Sequence, residues 1–290
     1  MQFSLAQSLG RTCPTIDVVD VGAMALDAEP EYAPILAKAP CRVVGFEPVQ
    51  AECDKLNAAK HRHRVFLPYF IGDGAERTFH LTNFSATASL YEPDIEFLSL
   101  FNTLAQVTTV TETSRVQTRR LDDIPEIANI DLLKIDIQGA ELDAFRGGPR
   151  LLDRTLAVWT EVEFAPMYKN QPLFGDVDAE LRRHKLMLHT FQSLEGRAYT
   201  PLVAPQGPTA GIRQHLWSDV IYLRHPLSIG ELDHDKILKL AVIAHDLLGS
   251  FDYAQLALQH ADRKNGGSLW KWYMQRLTGE DPGEPTLPPG

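Results

Sequence analysis

The stretch "LLKIDIQGAELDAF", residues 132–145, decides how this chain folds. Its alternation has the period of a β-strand, with Lys134, Asp136 and Gln138 on one face and Leu133, Ile135 and Ile137 on the other. Gly139 then lets the chain turn into a helix that carries Glu141. Three polar side chains on one face of a central strand are costly to bury unless they are paired or serve a site. The carboxyl edge of a strand in an open α/β sheet is where ligands bind. The competing reading of Lys134 is a structural ion pair with a carboxylate such as Glu161.

On either side of this stretch, β-rich runs alternate with helical patterns, the mark of a sheet wound with crossover helices. Strands are expected at 16–22, 41–48 and 65–72, with helices at 31–39 and over "AECDKLNAAKH". Near-continuous apolar runs of this kind suit strands buried on both faces. Segments 77–91 and 107–121 are rich in Thr, Val and Phe and read as a peripheral β-ribbon around a variable loop. Downstream, "AELDAFRGGPRLL" reads as a helix, 156–164 as a strand, "DVDAELRRHKL" as a helix, and "MLHTFQ" with 218–225 as an antiparallel pair. From about Ser228 the pattern becomes amphipathic and helical. The expected organisation is a domain over 1–228 with a β-rich insertion at about 77–121, a helical extension over 229–278 and a disordered Pro/Gly-rich tail over 279–290.

A length of 290 residues, 44% of them hydrophobic and 23% charged, fits one α/β domain plus an extension. The net charge of -10 argues against nucleic acid as the main partner, since a phosphate backbone needs a basic face. Cys13, Cys41 and Cys53 form no CxxC pair, which suggests reduced thiols and not a disulfide framework or zinc site. No apolar run is long enough for a membrane span, and no signal peptide is evident. A cytoplasmic location is the expectation.

Three further positions carry chemical promise. Asp20-Val21-Gly22 ends the first strand, where a glycine lets backbone approach a ligand. Glu47 ends the second strand, where an acidic residue accepts hydrogen bonds from ribose hydroxyls, although its spacing from Asp20 exceeds the usual ~20 residues. Glu161 and Glu163 share a face of the strand after Asp136, able to bind a cation, orient an amine or act as a base. The histidines show no HxH or HExxH spacing; His80 and His215 are the two worth testing, and His234, His245 and His260 are assigned to a helical surface. No GxSxG elbow or Walker motif is present, which disfavours hydrolase and kinase chemistry.

The blocks "DVVDVGA", "VVGFEP", "TRRLDDI", "DLLKIDIQGAELDAFRGG", "TEVEFAPMY" and "LWSDVIYLR" occur in the order found in FkbM-type methyltransferases, which this chain resembles over roughly residues 15–226. That resemblance implies a Rossmann-like class I methyltransferase fold, a seven-stranded mostly parallel sheet with its last strand antiparallel, here with a small C-terminal helical extension. It implies S-adenosylmethionine across the carboxyl ends of the first strands, with Asp20 and Gly22 along its methionine side, Glu47 on the ribose and Asp73 near the adenine. Asp136 would lie between cofactor and acceptor, with Gln138 and Glu141 nearby and Glu161 and Glu163 extending that floor. The chain departs from the family's DVGANxG pattern at Met24 and Leu26, followed by "DAEPEYAP". Pro30 is expected in the first turn of the next helix, with Asp27 as its N-cap or a ligand contact.

The function these residues imply is O-methylation of a hydroxyl on a sugar, glycan or secondary metabolite, with Asp136 as base and Glu163 as second choice. A divalent metal held by Asp136, Glu161 or Glu163 is conceivable, but the spacing does not indicate one. A non-catalytic binding or assembly module with a degenerate methyltransferase fold is the alternative, supported by the altered loop. A nicotinamide dehydrogenase ranks last because GxGxxG is absent. The acceptor is expected to be a small molecule or glycan, and the helical extension is a candidate homodimer surface.

Overall fold

A computed structural model describes residues 3–24, 29–58, 62–283 and 285. Leu26 and Asp27, and with them the expected N-cap or ligand contact of Asp27, lie outside the described residues. Among the described residues ten strands form two sheets: β1 (Ile16–Val21), β2 (Cys41–Phe46), β3 (Arg64–Leu67), β4 (Phe70–Ile71), β5 (Glu76–Thr82), β6 (Val110–Arg119), β7 (Leu132–Ile135), β8 (Ala157–Glu163), β9 (Leu186–Phe191) and β10 (Trp217–Arg224). The large sheet has seven strands in the order β3-β2-β1-β7-β8-β10-β9. β10 runs antiparallel to both neighbours, while β3, β2, β1, β7 and β8 pair in parallel. The strand order reverses between β1 and β7, the switch point at which a doubly wound Rossmann-like sheet opens a crevice at its carboxyl edge.

β1 is buried along its whole length because it is central, and its alternate residues feed two cores. Ile16, Val18, Leu132, Ile221 and Leu223 pack with Ile237, Ala241, Leu258 and Tyr273 of the C-terminal helices on one face. Val19, Val21, Leu133, Ile135 and Val220 pack with Phe145, Val177 and Leu181 on the other. The C-terminal helices His234–Val242, Phe251–Asn265 and Leu269–Leu277 thus share a core with the sheet. An ionic knot at the amino edge ties them down: fully buried Asp131 accepts from Lys236 and Lys239, each at 2.7 Å, and from the Asp17 amide at 2.8 Å.

Several expected elements are corrected. The strand expected over 65–72 is two strands in different sheets, because Pro68 has no N–H to continue the ladder. The helix expected over 31–39 shrinks to one turn, Ala33–Leu36, and Pro34 and not Pro30 occupies its first turn. The helix expected after Gly139 breaks at Gly147-Gly148 into Glu141–Arg146 and Pro149–Leu152. In the insertion, β5 and β6 do pair antiparallel, but strand structure in the first arm stops at Thr82, and the intervening residues form short helical turns. In the segment 279–283, Trp272 Nε1 donates to the Gly283 carbonyl at 2.7 Å, and Arg276 pairs with Asp281 at 3.2 Å.

His245 is not on a helical surface. It is 5% exposed, with Nε2 2.9 Å from the Phe3 carbonyl and Nδ1 2.8 Å from the Tyr273 hydroxyl, inside a cage of Phe3, Phe251 and Tyr273. All three cysteines are free. No described helix is long and apolar enough to cross a membrane.

Candidate active site

Strand register builds the site. Val21 lies level with Phe46 on β2 and Ile135 on β7, and Ile135 lies level with Thr160 on β8. One residue further along each strand therefore come Glu47, Gly22, Asp136 and Glu161, and Glu161 is paired with Asp219 on β10. These residues form a row along the carboxyl edge at the switch point, although Glu47 and Asp219 are 172 positions apart in sequence (219 minus 47). Two residues below the row, Asp20, Lys134 and Trp159 are in register on the face of the C-terminal helices.

Gly22 is required by this geometry. Its φ is +86°, and a Cβ there would lie 2.0 Å from the Asp136 carbonyl oxygen, so the neighbouring strand itself demands a glycine. Asp20 is 4% exposed: its Oδ2 accepts from the Tyr32 hydroxyl at 2.7 Å, and its Oδ1 is buried without a partner among the described residues. Burial pushes the Asp20 carboxyl up, against the opposing pull of Lys134. Glu47 is buried and accepts from the Val49 amide at 2.8 Å; burial raises its carboxyl too. Asp73 is committed to its own turn, accepting from the Ala75 amide at 3.0 Å and from Arg77. Although burial works the other way, those contacts hold it below its ordinary value.

The acidic end is dense. The Asp136 side chain is 36% exposed and lies 3.8 Å from the Lys134 ammonium, so Lys134 pairs with Asp136 and not with Glu161. Burial opposes the Lys134 charge, but Asp136, Asp20 and Glu31 outweigh it and hold the ammonium above its ordinary value. Glu141 is 1% exposed and accepts from the Ile137 amide at 2.8 Å; burial pushes it up to about 7. Glu161 and Glu163 are both driven well above the ordinary carboxylate range, by burial first, then by the neighbouring carboxylates. Glu163 is 1% exposed, and its Oε1 has no partner among the described residues.

Gln138 departs from the alternation expected of it. β7 ends at Ile135, and Gln138 and Gly139 follow as successive left-handed residues with φ of +56° and +94°. The Gln138 side chain folds back, and its Nε2 donates to Asp136 Oδ1 and to Glu161 Oε2, both at 2.8 Å. Three other site residues carry little signal in the sequence: Tyr32 on Asp20, Tyr168 on Gln138, and Asp219, pushed up to about 6 by burial and then by Asp136. Their side chains meet the row only through chain topology. His80 lies in the insertion sheet and His215 is exposed. No group of three or more His, Cys, Asp or Glu among the described residues is arranged to hold a metal ion.

The family model described as "Methyltransferase FkbM domain" matches residues 20–185, from Asp20 through the whole acidic row on β7 and β8. The chain belongs to the FkbM methyltransferase family. This family member is 42% identical over 67 residues to the 2-O-methyltransferase NoeI of Sinorhizobium fredii (strain NBRC 101917 / NGR234), a match covering 22% of this chain and 28% of that protein. Among solved structures, a putative methyltransferase from Thermoplasma acidophilum is 8% identical with a TM-score of 0.36, covering 73% of this chain and 69% of that one. Streptococcus pneumoniae Sp1610, a putative tRNA (m1A22) methyltransferase, is 9% identical with a TM-score of 0.37, covering 88% and 94%. The fold of this FkbM family member is read from its own strand order.

Proposed function

We propose that this FkbM family member is an S-adenosylmethionine-dependent O-methyltransferase acting on a hydroxyl of a sugar, glycan or small secondary metabolite. The observation that carries the reading is the row Glu47–Gly22–Asp136–Glu161–Asp219 at the switch-point edge. The residues fit the cofactor: a sulfonium and an ammonium suit an edge rich in carboxylates, and the buried, unpartnered Asp20 Oδ1 is an acceptor with no protein donor among the described residues. The printed name of the relative, a 2-O-methyltransferase, supports a hydroxyl acceptor.

When bound, the cofactor supplies an electrophilic methyl group. The chain's own task is then to align the acceptor oxygen, keep water out and take the hydroxyl proton. Asp20, the Gly22 backbone and Glu47 hold the cofactor. Asp136, directly after β7 and with its side chain 36% exposed, takes the proton at its carboxylate oxygen, while the Lys134 ammonium lies 3.8 Å from that carboxylate. Glu163 is sealed from solvent and biased toward its neutral form, which suits a supporting role better than that of the base. Alignment supplies much of the acceleration.

Calorimetry with S-adenosylmethionine is the test, followed by mass spectrometry for a methyl gain on glycans and hydroxylated metabolites. Micromolar binding is expected. No binding at millimolar ligand would discard this reading in favour of a non-catalytic binding module.

A further inference from the structure

The conformation of Gln138 is unusual and needs a cause. A non-glycine residue at φ +56° costs about 1–2 kcal/mol and persists only where its surroundings hold it. Two buried contacts do so. Ser89 Oγ, 2% exposed as a residue, donates to the Gln138 carbonyl at 2.7 Å. Tyr168, also 2% exposed, shares its hydroxyl proton between the Thr87 carbonyl at 2.9 Å and Gln138 Oε1 at 3.3 Å. An amide presents either a carbonyl or an NH₂ group to its neighbours. With its oxygen turned toward the Tyr168 hydroxyl, Gln138 has only its nitrogen to offer Asp136 and Glu161, one hydrogen to each.

We propose that Tyr168 is a positioning residue: its hydroxyl fixes the orientation of the Gln138 amide, which in turn holds Asp136 and Glu161 together as one proton-accepting pair at the carboxyl edge. Tyr168 touches neither carboxylate through a hydrogen bond and acts through Gln138. Its second contact, to Thr87, ties the pair to the insertion between β5 and β6, so that insertion helps to set the charge of the site. The groups facing the pair are Lys134 on β7, Glu141 on the following helix, Glu163 on β8, Asp219 on β10, and Asp20 and Glu31 from the β1 side. Only Lys134 among them is cationic, and the Gln138 amide supplies the other donor, one hydrogen to each carboxylate. A donor to a carboxylate favours its charged form. Losing the orientation of that donor must therefore raise the pH at which the pair ionises.

The proposal rests on the methyltransferase reading, but its first test needs no cofactor. In the full chain, carboxyl-carbon NMR follows the titration of Asp136 and Glu161 in the wild type, Tyr168→Phe, Gln138→Ala and the double variant. Tyr168→Phe is expected to raise the midpoint of the pair by about one pH unit, at an unchanged melting temperature. In the Gln138→Ala background the same substitution is expected to add nothing, because its route is gone. With cofactor and a turned-over acceptor, the acid limb of the kcat profile moves up by the same amount while KM for the cofactor holds. An unmoved midpoint in folded Tyr168→Phe overturns the proposal, as does an equal shift in both backgrounds. If S-adenosylmethionine fails to bind the wild type while the midpoint still moves, the methyltransferase reading falls and the clamp stands.

Discussion

Gly22→Ala asks what the glycine at the end of β1 is for. In a cofactor loop, a glycine serves the ligand, and an added methyl would cost affinity and little else. Here the methyl would lie 2.0 Å from the Asp136 carbonyl oxygen, whereas Cβ contacts essentially never fall below 3.0 Å, so the β1 and β7 ends must separate by about 1 Å. Holding alanine at φ +86° adds about 1–2 kcal/mol, and overpacking of this kind about 1–3 kcal/mol. The sum, about 2–5 kcal/mol, corresponds to a melting temperature lower by about 5–15 °C for a chain of this size. The same displacement moves Asp136, whose amide bonds to Val21 at 3.0 Å, away from the row. Differential scanning fluorimetry without ligand, beside calorimetry with S-adenosylmethionine, separates the two roles. A variant that melts with the wild type and loses only ligand affinity refutes the strand-packing argument.

Asp136→Asn is expected to cut turnover about 10²–10⁴-fold in a folded protein, since it removes the base and keeps the shape; near-normal turnover in a methyl-transfer assay would remove Asp136 from that role. Asp131→Ala removes the carboxylate that Lys236 and Lys239 share at 2.7 Å and leaves Lys239 only Asp17, at 3.8 Å, among the described residues, and urea unfolding should show a loss of about 3–5 kcal/mol. Burial lowers the His245 pKa below its ordinary 6.5, so the unfolded chain binds the proton first and stability falls as pH drops below about 6.5; the melting advantage of the wild type over His245→Gln should shrink from pH 7 to pH 5. Glu163 behaves oppositely: its raised pKa lets the native state keep a proton that the unfolded chain releases above about 4.5, so its contribution to stability falls as pH rises from there. Glu163→Gln should accordingly raise the melting temperature at pH 8 and leave it unchanged at pH 4, and equal effects at both would contradict the assigned burial.

The strands of the large sheet were legible where apolar runs are continuous, because β1, β2, β7 and β8 are covered on both faces. Their boundaries were less so, and the misreadings trace to single residues. Pro68 divides a seemingly continuous run between two sheets, Gly147-Gly148 breaks one helical pattern into two short helices, and Pro34 resets the start of the first crossover helix. Gly22, Glu47 and Asp136 were legible because each directly follows the last residue of a strand, and Glu161 because it stands as a charged residue within the apolar run of β8. Asp219 was not, because β10 enters between β8 and β9 from a distant part of the chain, and nothing local signals that insertion. Tyr168 and Tyr32 were hidden for a related reason: each looks like an ordinary core aromatic until its hydroxyl is found on a site residue.

The energetic pattern of the acidic edge bears on function more directly than any single residue does. Elsewhere a buried charge meets opposite charge or main-chain acceptors: Asp131 has two lysines at 2.7 Å, and the Arg224 guanidinium donates to carbonyls, although Asp246 Oδ1 and Arg224 Nε have no hydrogen-bond partner among the described residues. The carboxyl edge differs in gathering five carboxylates, Asp136, Glu141, Glu161, Glu163 and Asp219, around one lysine, and buried oxygens of Asp20 and Glu163 have no partner among the described residues. Such an arrangement destabilises the native state at neutral pH, since Glu141, Glu161, Glu163 and Asp219, all raised by burial first, must either stay protonated or repel. A fold selected for stability alone would replace one or two of them with amides. Their concentration at the switch point, and the strained Gln138 that bridges two of them, fit a site whose missing positive charge arrives with its ligand. A cation bound there should raise the melting temperature more at pH 8 than at pH 5, because more of the edge is ionised at the higher pH.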